Sequence, residues 1–434
     1  MRSIITRIQI ENYKSIKNAD VPLTDLTILI GPNGSGKSVF LEALTLVADV
    51  LRHSLNQTLS GQGDIRPFRA PNARVLMPIQ PYLQEYAPPE LWTVDTRSTR
   101  IKLFFQNPPA NSSSQPIMGT YELIIRPNDQ PNALGWVVEE ETLEATRDHS
   151  LTTLMERHFD TLNIDGEQFS MSRDRREAIS MDQLYLDEFT FNDVRTSESN
   201  LEKLSIQIQA AELLSRAWFY NPSPVHIRDR NLKSLTTRLD KLASQLPAVW
   251  YQTMFNSSGA KAQTVIDYMR VLVPGLSVFN TRATAEDMYF YFNDPDQPLL
   301  TSDVSDGTLR ALALLTAIFQ PIAPRHDERG SDAPSLIAIE EPELYLHPAA
   351  TRLLLDAMRH PGHHKQIVVS SHSPVALDEL QPDNPLESVL TFELRDGETI
   401  IEQMPKFADE VVRERLSTYG KLLSQGQLVP SGNK

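Results

Sequence analysis

Cysteine is absent from the 434-residue chain, and its absence excludes several kinds of site. Without thiols the protein has no disulfide bond, no cysteine nucleophile and no zinc site built on thiolates. Long apolar runs are also lacking, since no stretch approaches the roughly 20 residues of a membrane-spanning helix and Met1–Ile10 holds no signal-peptide core. We therefore expect a cytoplasmic protein that makes no membrane contact.

Positive charge is in short supply, with 41 lysines and arginines against 56 aspartates and glutamates and a formal net charge of −15. This balance opposes indiscriminate binding to nucleic-acid backbones. One basic cluster stands out after Pro224, and it consists of Arg228, Arg230, Lys233, Arg238 and Lys241. It is either a solvated helix face or a surface for DNA or an acidic partner, and the sequence leaves both readings open.

A glycine-rich segment has the pattern of a phosphate-binding loop. Gly31–Ser38 fits G-x-x-x-x-G-K-[ST], after the apolar run Leu26–Ile30 and before apolar residues at helical spacing. We expect Lys37 to neutralise the β- and γ-phosphates of ATP, and so to serve catalysis, and Ser38 to ligate Mg2+. The residues predicted to bind the nucleotide in this loop are Asn33, Gly34, Ser35, Gly36, Lys37 and Ser38.

An apolar strand that ends in carboxylates is the expected partner of such a loop. The apolar run Leu336–Ile339, which follows Ser335, predicts this strand, and Glu340, Glu341 and Glu343 come at its end. Glu340 is predicted to hold Mg2+ through water. Glu341 is predicted to polarise the water that attacks the γ-phosphate.

Two further segments have the character of anion sites. Gln366–Val369 predicts a buried strand that places His372 at its carboxyl end, where open α/β sheets bind ligands, and we interpret His372 as a γ-phosphate sensor. Val304–Arg310 is typical of a helix start with Ser305 or Asp306 as N-cap. The backbone N–H groups of that start could also face an anion.

In this order along the chain, the segments resemble the ABC-type ATPases of the SMC, RecF and OLD branch, most closely the small ATPases near OLD. The resemblance covers about the first 55 residues and everything from Tyr289 onward. Ile8–Ile16 resembles the first strand of the family, which implies that Lys14 lies near the nucleotide. The other matches are Ser305 and Gly307 with the signature motif, Glu340–Pro342 with Walker B, Leu346–Pro348 with the D-loop and His372 with the switch histidine.

The resemblance implies a particular assembly. Ser305 and Gly307 of one subunit would contact the γ-phosphate bound to another, so that two ATP molecules are enclosed in a head-to-tail homodimer, with a higher oligomer left open. The usual Walker B aspartate is Glu340 here, and no clear Q-loop glutamine is present. Asn221 occupies its place in chain order, and Gln115 is the weaker candidate.

The sequence says less about what ATP controls. About sixty residues follow His372, too few for the Toprim nuclease domain of OLD proteins, and we find no HNH-like set of residues. The resemblance therefore favours a phage-defence module in which the ATPase controls DNA or a separate effector protein such as a nuclease. The alternatives are a RecF-like repair or recombination ATPase and a transporter-type nucleotide-binding subunit.

The predicted fold class is α/β, an ABC-type P-loop ATPase head with an antiparallel β-meander and an inserted helical lobe. Three strands at Ile101–Gln106, Thr120–Arg126 and Trp136–Leu143 predict the meander. We predict that residues 1–147 hold the first half of the ATPase lobe with the meander. Residues 148–285 are predicted to form the mostly helical lobe, and residues 286–434 the second half of the ATPase lobe.

Overall fold

The structure of the protein is a computed structural model. It describes residues 3–53, 55, 57–58, 98–107, 116–127, 136–147, 150–158, 161–164, 167–170, 198–228, 239–251, 259–273, 279–283, 288–293, 298–320, 335–380, 385–414 and 416–430. The strands are β1 (Ile4–Tyr13), β2 (Ile16–Pro22), β3 (Leu26–Ile30), β4 (Thr99–Asn107), β5 (Ile117–Pro127), β6 (Trp136–Arg147), β7 (Ser150–His158), β8 (Thr161–Ile164), β9 (Glu167–Ser170), β10 (Ala217–Tyr220), β11 (Phe279–Ala283), β12 (Met288–Asn293), β13 (Pro298–Leu300), β14 (Leu336–Glu340), β15 (Gln366–Ser371), β16 (Val389–Arg395) and β17 (Glu398–Gln403). The α-helices are α1 (Lys37–Arg52), α2 (Glu198–Ser215), α3 (Pro224–Arg228), α4 (Leu246–Val249), α5 (Gly259–Leu272), α6 (Asp306–Phe319), α7 (Pro348–Arg359), α8 (Pro374–Leu380), α9 (Pro385–Ser388), α10 (Lys406–Arg413) and α11 (Tyr419–Ser424).

A six-stranded sheet in the order β10-β14-β15-β3-β16-β17 carries the predicted site residues. Five of these strands, β10, β14, β15, β3 and β16, run parallel to one another. The sixth, β17, runs antiparallel to β16. The early strand β3 thus pairs on both sides with strands from near the end of the chain. Because the carboxyl ends of parallel strands meet at one edge, the segments after β3, β10, β14 and β15 come together there.

Different side chains bury the two faces of this sheet. Successive side chains of a strand point to opposite faces, and in β3 Leu29 joins one hydrophobic cluster while Ile28 and Ile30 join another. The first cluster includes the apolar face of α1. The second includes α6, which is buried from Leu309 to Phe319. The sheet is therefore held between α1 and α6.

An eight-stranded antiparallel sheet in the order β2-β1-β4-β5-β6-β7-β8-β9 packs against α1. It confirms the predicted three-strand meander, which appears as β4, β5 and β6. The strands continue through Ser170, however, into the range where we predicted a mostly helical lobe from residue 148. One reason is that Arg157 of β7 is fully buried opposite Glu141, so a charged pair occupies positions where an apolar alternation would predict a strand.

Helices α2 to α5 fall within the predicted helical range, and the chain then forms a separate three-stranded sheet, β11-β12-β13. The division into three domains stays a prediction. No helix in the described ranges is long and apolar enough to span a bilayer.

Candidate nucleotide-binding site

The phosphate loop follows β3 and leads directly into α1, as the sequence predicted. Its backbone is left-handed at Gly34 (φ 77°) and Gly36 (φ 99°), which glycine adopts without the steric cost of a Cβ. A Cβ at Gly36 would also overlap the side chain of Thr399 in β17. The glycines therefore serve both the turn of the loop and its close packing on the β16–β17 hairpin.

Lys37 is the first residue of α1, and its ammonium lies inside the loop. Nζ donates hydrogen bonds to the carbonyl oxygens of Gly31 at 2.8 Å and Pro32 at 2.9 Å. Burial lowers the pKa of Lys37, while Glu341, Glu340 and Glu343 act to raise it. Both described hydrogen bonds of this ammonium go to neutral backbone carbonyls, which do not neutralise its charge. The ammonium is therefore suited to bind a phosphate.

The loop also contains an unsatisfied hydroxyl. Ser35 is buried, and its Oγ has no hydrogen-bond partner in the described part of the chain. Buried polar atoms are nearly always paired, so an unpaired one beside Lys37 fits a loop shaped for an anion. The positive end of α1 points at the same place.

A set of oxygen ligands lies where β14 ends. The hydroxyl of Ser38 donates a hydrogen bond to Glu340 Oε1, and Asn221 Nδ2 donates to Glu340 Oε2 at 2.7 Å. The hydroxyl and carboxylate oxygens of Ser38 and Glu340 are the kind of ligand that Mg2+ prefers, whereas Asn221 faces Glu340 through its N–H group. The structure thus brings Ser38 and Glu340 together as expected and adds Asn221, the residue in the place of the Q-loop glutamine. The weaker candidate, Gln115, lies outside the described residues.

The second acid pairs with the predicted sensor. His372 Nδ1 lies 3.0 Å from Glu341 Oε1, and the backbone of Glu341 is left-handed, with φ 42°. Glu343, to which sequence analysis gave no role, accepts a hydrogen bond from Ser371 at 2.6 Å. Its other oxygen, Oε2, is buried and has no partner among the described residues. Its place in the same acidic run as Glu341 was the signal that could have found it.

The phosphate loop, the acids Glu340 and Glu341 and the side chain of His372 thus meet at one edge of the sheet. A family model for the AAA ATPase domain matches residues 4–376. The chain belongs to this AAA ATPase family. It is an ATPase, and its similarities to OLD, RecF and SMC proteins support the predicted branch.

Short stretches of the ATPase are similar to curated proteins. It is 41% identical over 44 residues to the OLD nuclease of Thermus scotoductus (strain ATCC 700910 / SA-01), covering 10% of this chain and 8% of that protein. It is 48% identical over 42 residues to the DNA replication and repair protein RecF of Proteus mirabilis (strain HI4320), covering 9% of this chain and 12% of that protein. The chain thus matches about a tenth of the length of these relatives.

A solved structure, the SmcHead bound to the C-winged helix domain of ScpA, shares the fold. The TM-score is 0.50 at 12% identity, covering 94% of this chain and 99% of that chain. At this identity the likeness concerns the fold alone, and it supports the predicted α/β class of ABC-type head.

The signature segment of the ATPase begins α6. Ser305 is exposed and caps the helix, accepting a hydrogen bond from the Thr308 N–H at 3.2 Å. A Cβ at Gly307 would overlap the carbonyl oxygen of Tyr345, so this glycine is required by packing within its own chain. Contact of Ser305 or Gly307 with a nucleotide stays a prediction.

Lys14 lies in the left-handed turn between β1 and β2, with φ 49°. Its Nζ is 2.5 Å from Glu42 Oε2 on α1, so the lysine is held in an ion pair one turn beyond the phosphate loop. The predicted contact of Lys14 with the nucleotide is not tested by this geometry.

Arg310, which was not among the predicted site residues, is almost completely buried in the second turn of α6. Its guanidinium donates hydrogen bonds to the carbonyl oxygens of Glu340 at 2.8 Å and Glu341 at 3.1 Å, and to Asn221 Oδ1 at 3.1 Å. It also donates to the carbonyl oxygen of Pro222. The signal for Arg310 was the only charge in the mostly apolar run Leu309–Phe319.

Proposed function

We propose that two copies of this ATPase close around two ATP molecules, each site combining the phosphate loop of one copy with the signature segment of the other. The observation that carries the proposal is the exposed start of α6. Among the described hydrogen bonds the Ser305 hydroxyl bonds only to Thr308 of its own helix, and the residue is exposed, so its surface is available to a second molecule. Such a composite site couples the γ-phosphate to subunit contacts.

Within each site, Ser38 and Glu340 would hold Mg2+, and Asn221 would orient the Glu340 carboxylate. The metal would neutralise charge on the β- and γ-phosphates. Glu341 would accept the proton of the attacking water. His372, which is hydrogen-bonded to Glu341, would sense the γ-phosphate and orient that carboxylate.

Mixing two inactive variants tests the shared site. Ser305→Arg should leave ATP binding nearly intact, since Ser305 makes no described contact with the loop, but its bulk should stop the partner from docking. Lys37→Ala should abolish the binding of ATP to the phosphate loop of the same chain. Each variant alone should be inactive, whereas a mixed dimer has one site built from an intact loop and an intact signature.

With equal, random mixing, half the dimers are mixed and half their sites are intact, so about a quarter of the wild-type hydrolysis rate should return. Phosphate release would be measured after confirming mixed dimers by mass. Ser302→Arg, also at an exposed position before α6, provides a control for bulk and charge. Mixed dimers without recovered activity would contradict the composite site.

We further propose that the ATPase controls a separate effector, such as a nuclease, in a phage-defence module. The short similarities to an OLD nuclease and to RecF support this class, and they equally support a repair or recombination role as the alternative. Measuring the mass of the chain purified with its genomic neighbour, with and without ATP, separates these readings. The cytoplasmic location stays a prediction.

We expect contact with DNA to involve only some residues of the basic cluster. Arg228 lies 2.5 Å from Asp306, and Lys241 lies 3.7 Å from Glu42, so both are paired within the chain. The other three members, which lie outside the described residues, are Arg230, Lys233 and Arg238.

Reversing these three charges to glutamate should lower the affinity for duplex DNA and flatten its salt dependence, because each lost phosphate contact reduces counterion release. Fluorescence anisotropy at two salt concentrations measures both effects. Reversal of three exposed cations elsewhere, Arg7, Lys17 and Arg352, controls for the same change in net charge. Binding that survives the triple reversal excludes the basic cluster as the DNA surface.

A further inference from the structure

Arg310 is a buried cation whose described partners are all uncharged. It is 1% exposed and lies in α6 between the buried Leu309 and Ala311. Its four acceptors are three backbone carbonyls and the amide oxygen of Asn221, and the described residues provide it with no ion pair. Burying a guanidinium without a carboxylate partner is costly, and apolar residues of similar volume often stabilise a core as well or better. Packing alone therefore does not explain the arginine.

The contacts of Arg310 lie on the backbone that presents the catalytic acid. Nη2 donates to the carbonyl oxygens of both Glu340 and Glu341. The Glu341 backbone between them is left-handed, a conformation that a non-glycine residue holds only when its surroundings fix it. The Glu341 N–H is fixed from the other side by the carbonyl of Ser370 at 3.0 Å. These bonds set the direction in which the Glu341 side chain leaves the chain.

A second path joins the same acids to the signature segment. Asn221 donates through Nδ2 to the Glu340 carboxylate and accepts through Oδ1 from Arg310. At the end of α3, Arg228 bonds to Asp306 and to the carbonyl of Val304, each at 2.5 Å. The start of α6 and the end of β14 are thus bonded together within one chain.

We propose that Arg310 is a positioning residue for hydrolysis, which holds Glu341 of its own chain in the orientation that polarises water and ties that orientation to the signature helix. The proposal rests on the proposed function insofar as α6 meets a second copy. The action on Glu341 itself is within one chain and does not depend on the dimer.

Arg310→Lys tests the geometry while keeping the charge. A single ammonium cannot replace a planar guanidinium that donates to four acceptors. We expect kcat to fall about tenfold to a hundredfold, because misplacement of a catalytic group by about 1 Å has effects of this order. The Kd and KM for ATP should change less than about threefold, since Lys37 and the loop are untouched.

Arg52→Lys is the matched control. Arg52 is also a partly buried arginine that donates to backbone carbonyls, those of Ser215 and Ala217, but it lies away from the acids. A merely structural role for Arg310 predicts that both substitutions lower the melting temperature and leave kcat of the folded enzyme unchanged. A kcat loss confined to Arg310→Lys supports positioning, whereas an unchanged kcat overturns it. If Arg310→Lys does not fold, Arg310→Gln is tested in the same way, with an ATP-induced rise in melting temperature as proof of a folded, binding-competent chain.

Mixed dimers decide which element Arg310 serves. Arg310→Lys mixed with Lys37→Ala forms one site from the intact loop of the first chain and the intact signature of the second. If Arg310 orients Glu341 of its own chain, that site keeps a misplaced acid and activity stays low. If Arg310 serves only its own signature segment, activity returns to about the level of the Ser305→Arg mixture, and the proposal is overturned.

The Ser305→Arg mixture also separates the two hypotheses. If that mixture recovers no activity, the shared site has failed. The kcat of Arg310→Lys against Arg52→Lys still tests the positioning of Glu341.

Discussion

Glu341→Gln should bind ATP with nearly wild-type affinity and hydrolyse it at least about a hundredfold more slowly. The amide cannot accept the proton of the attacking water as a carboxylate does. The structure strengthens this assignment, because Glu341 pairs with His372 at 3.0 Å while Glu340 is engaged by Ser38 and Asn221. Calorimetry measures the binding, and single-turnover phosphate release measures the chemical step.

Glu340→Gln is the matched variant for this prediction. It should lower the affinity for Mg2+, so that ATP binding and turnover need a higher Mg2+ concentration, because the amide removes the charge from the metal ligand. Should Glu340→Gln instead bind Mg2+ and ATP normally and lose only turnover, the two acids have been assigned in reverse.

Lys37→Ala should abolish measurable ATP binding. The ammonium lies within the loop at the start of α1, and its removal leaves the β- and γ-phosphates facing Glu340, Glu341 and Glu343 without their nearest cation. Calorimetry with ATP and Mg2+ should show no heat of binding at concentrations that saturate the wild type.

Lys17→Ala controls for the loss of one lysine. Lys17 is exposed on β2, 3.2 Å from Glu398, and its removal should leave ATP affinity unchanged. Unchanged affinity in Lys37→Ala would remove the phosphate loop as the nucleotide site.

The local parts of the site could be predicted from sequence. In the phosphate loop, glycines, lysine and serine are neighbours in the chain, and the turn that they form requires those residue types locally. The same holds for the acids after β14 and for His372 after β15, since each follows an apolar strand that the sequence marks clearly.

The long-range parts could not be predicted. Arg310 meets Asn221 across 89 positions of sequence, and nothing in either segment specifies that the two side chains meet. Strands β7 to β9 of the eight-stranded sheet could not be predicted for a related reason. Arg157 of β7 is buried through its pairing with Glu141 on the neighbouring strand. In both cases a charge occupies a core position, and only the tertiary partner makes this possible.

The placement of β3 between β15 and β16 has a consequence for biosynthesis. The phosphate loop leaves the ribosome more than 300 residues before the strands that flank β3, which are Gln366–Ser371 and Val389–Thr391, and before Thr399, on which Gly36 packs. Such distant pairing makes folding slow and leaves partly folded chains exposed. A nascent chain therefore cannot complete its nucleotide site until Thr399 has been translated, so products that end before this residue lack a finished phosphate loop.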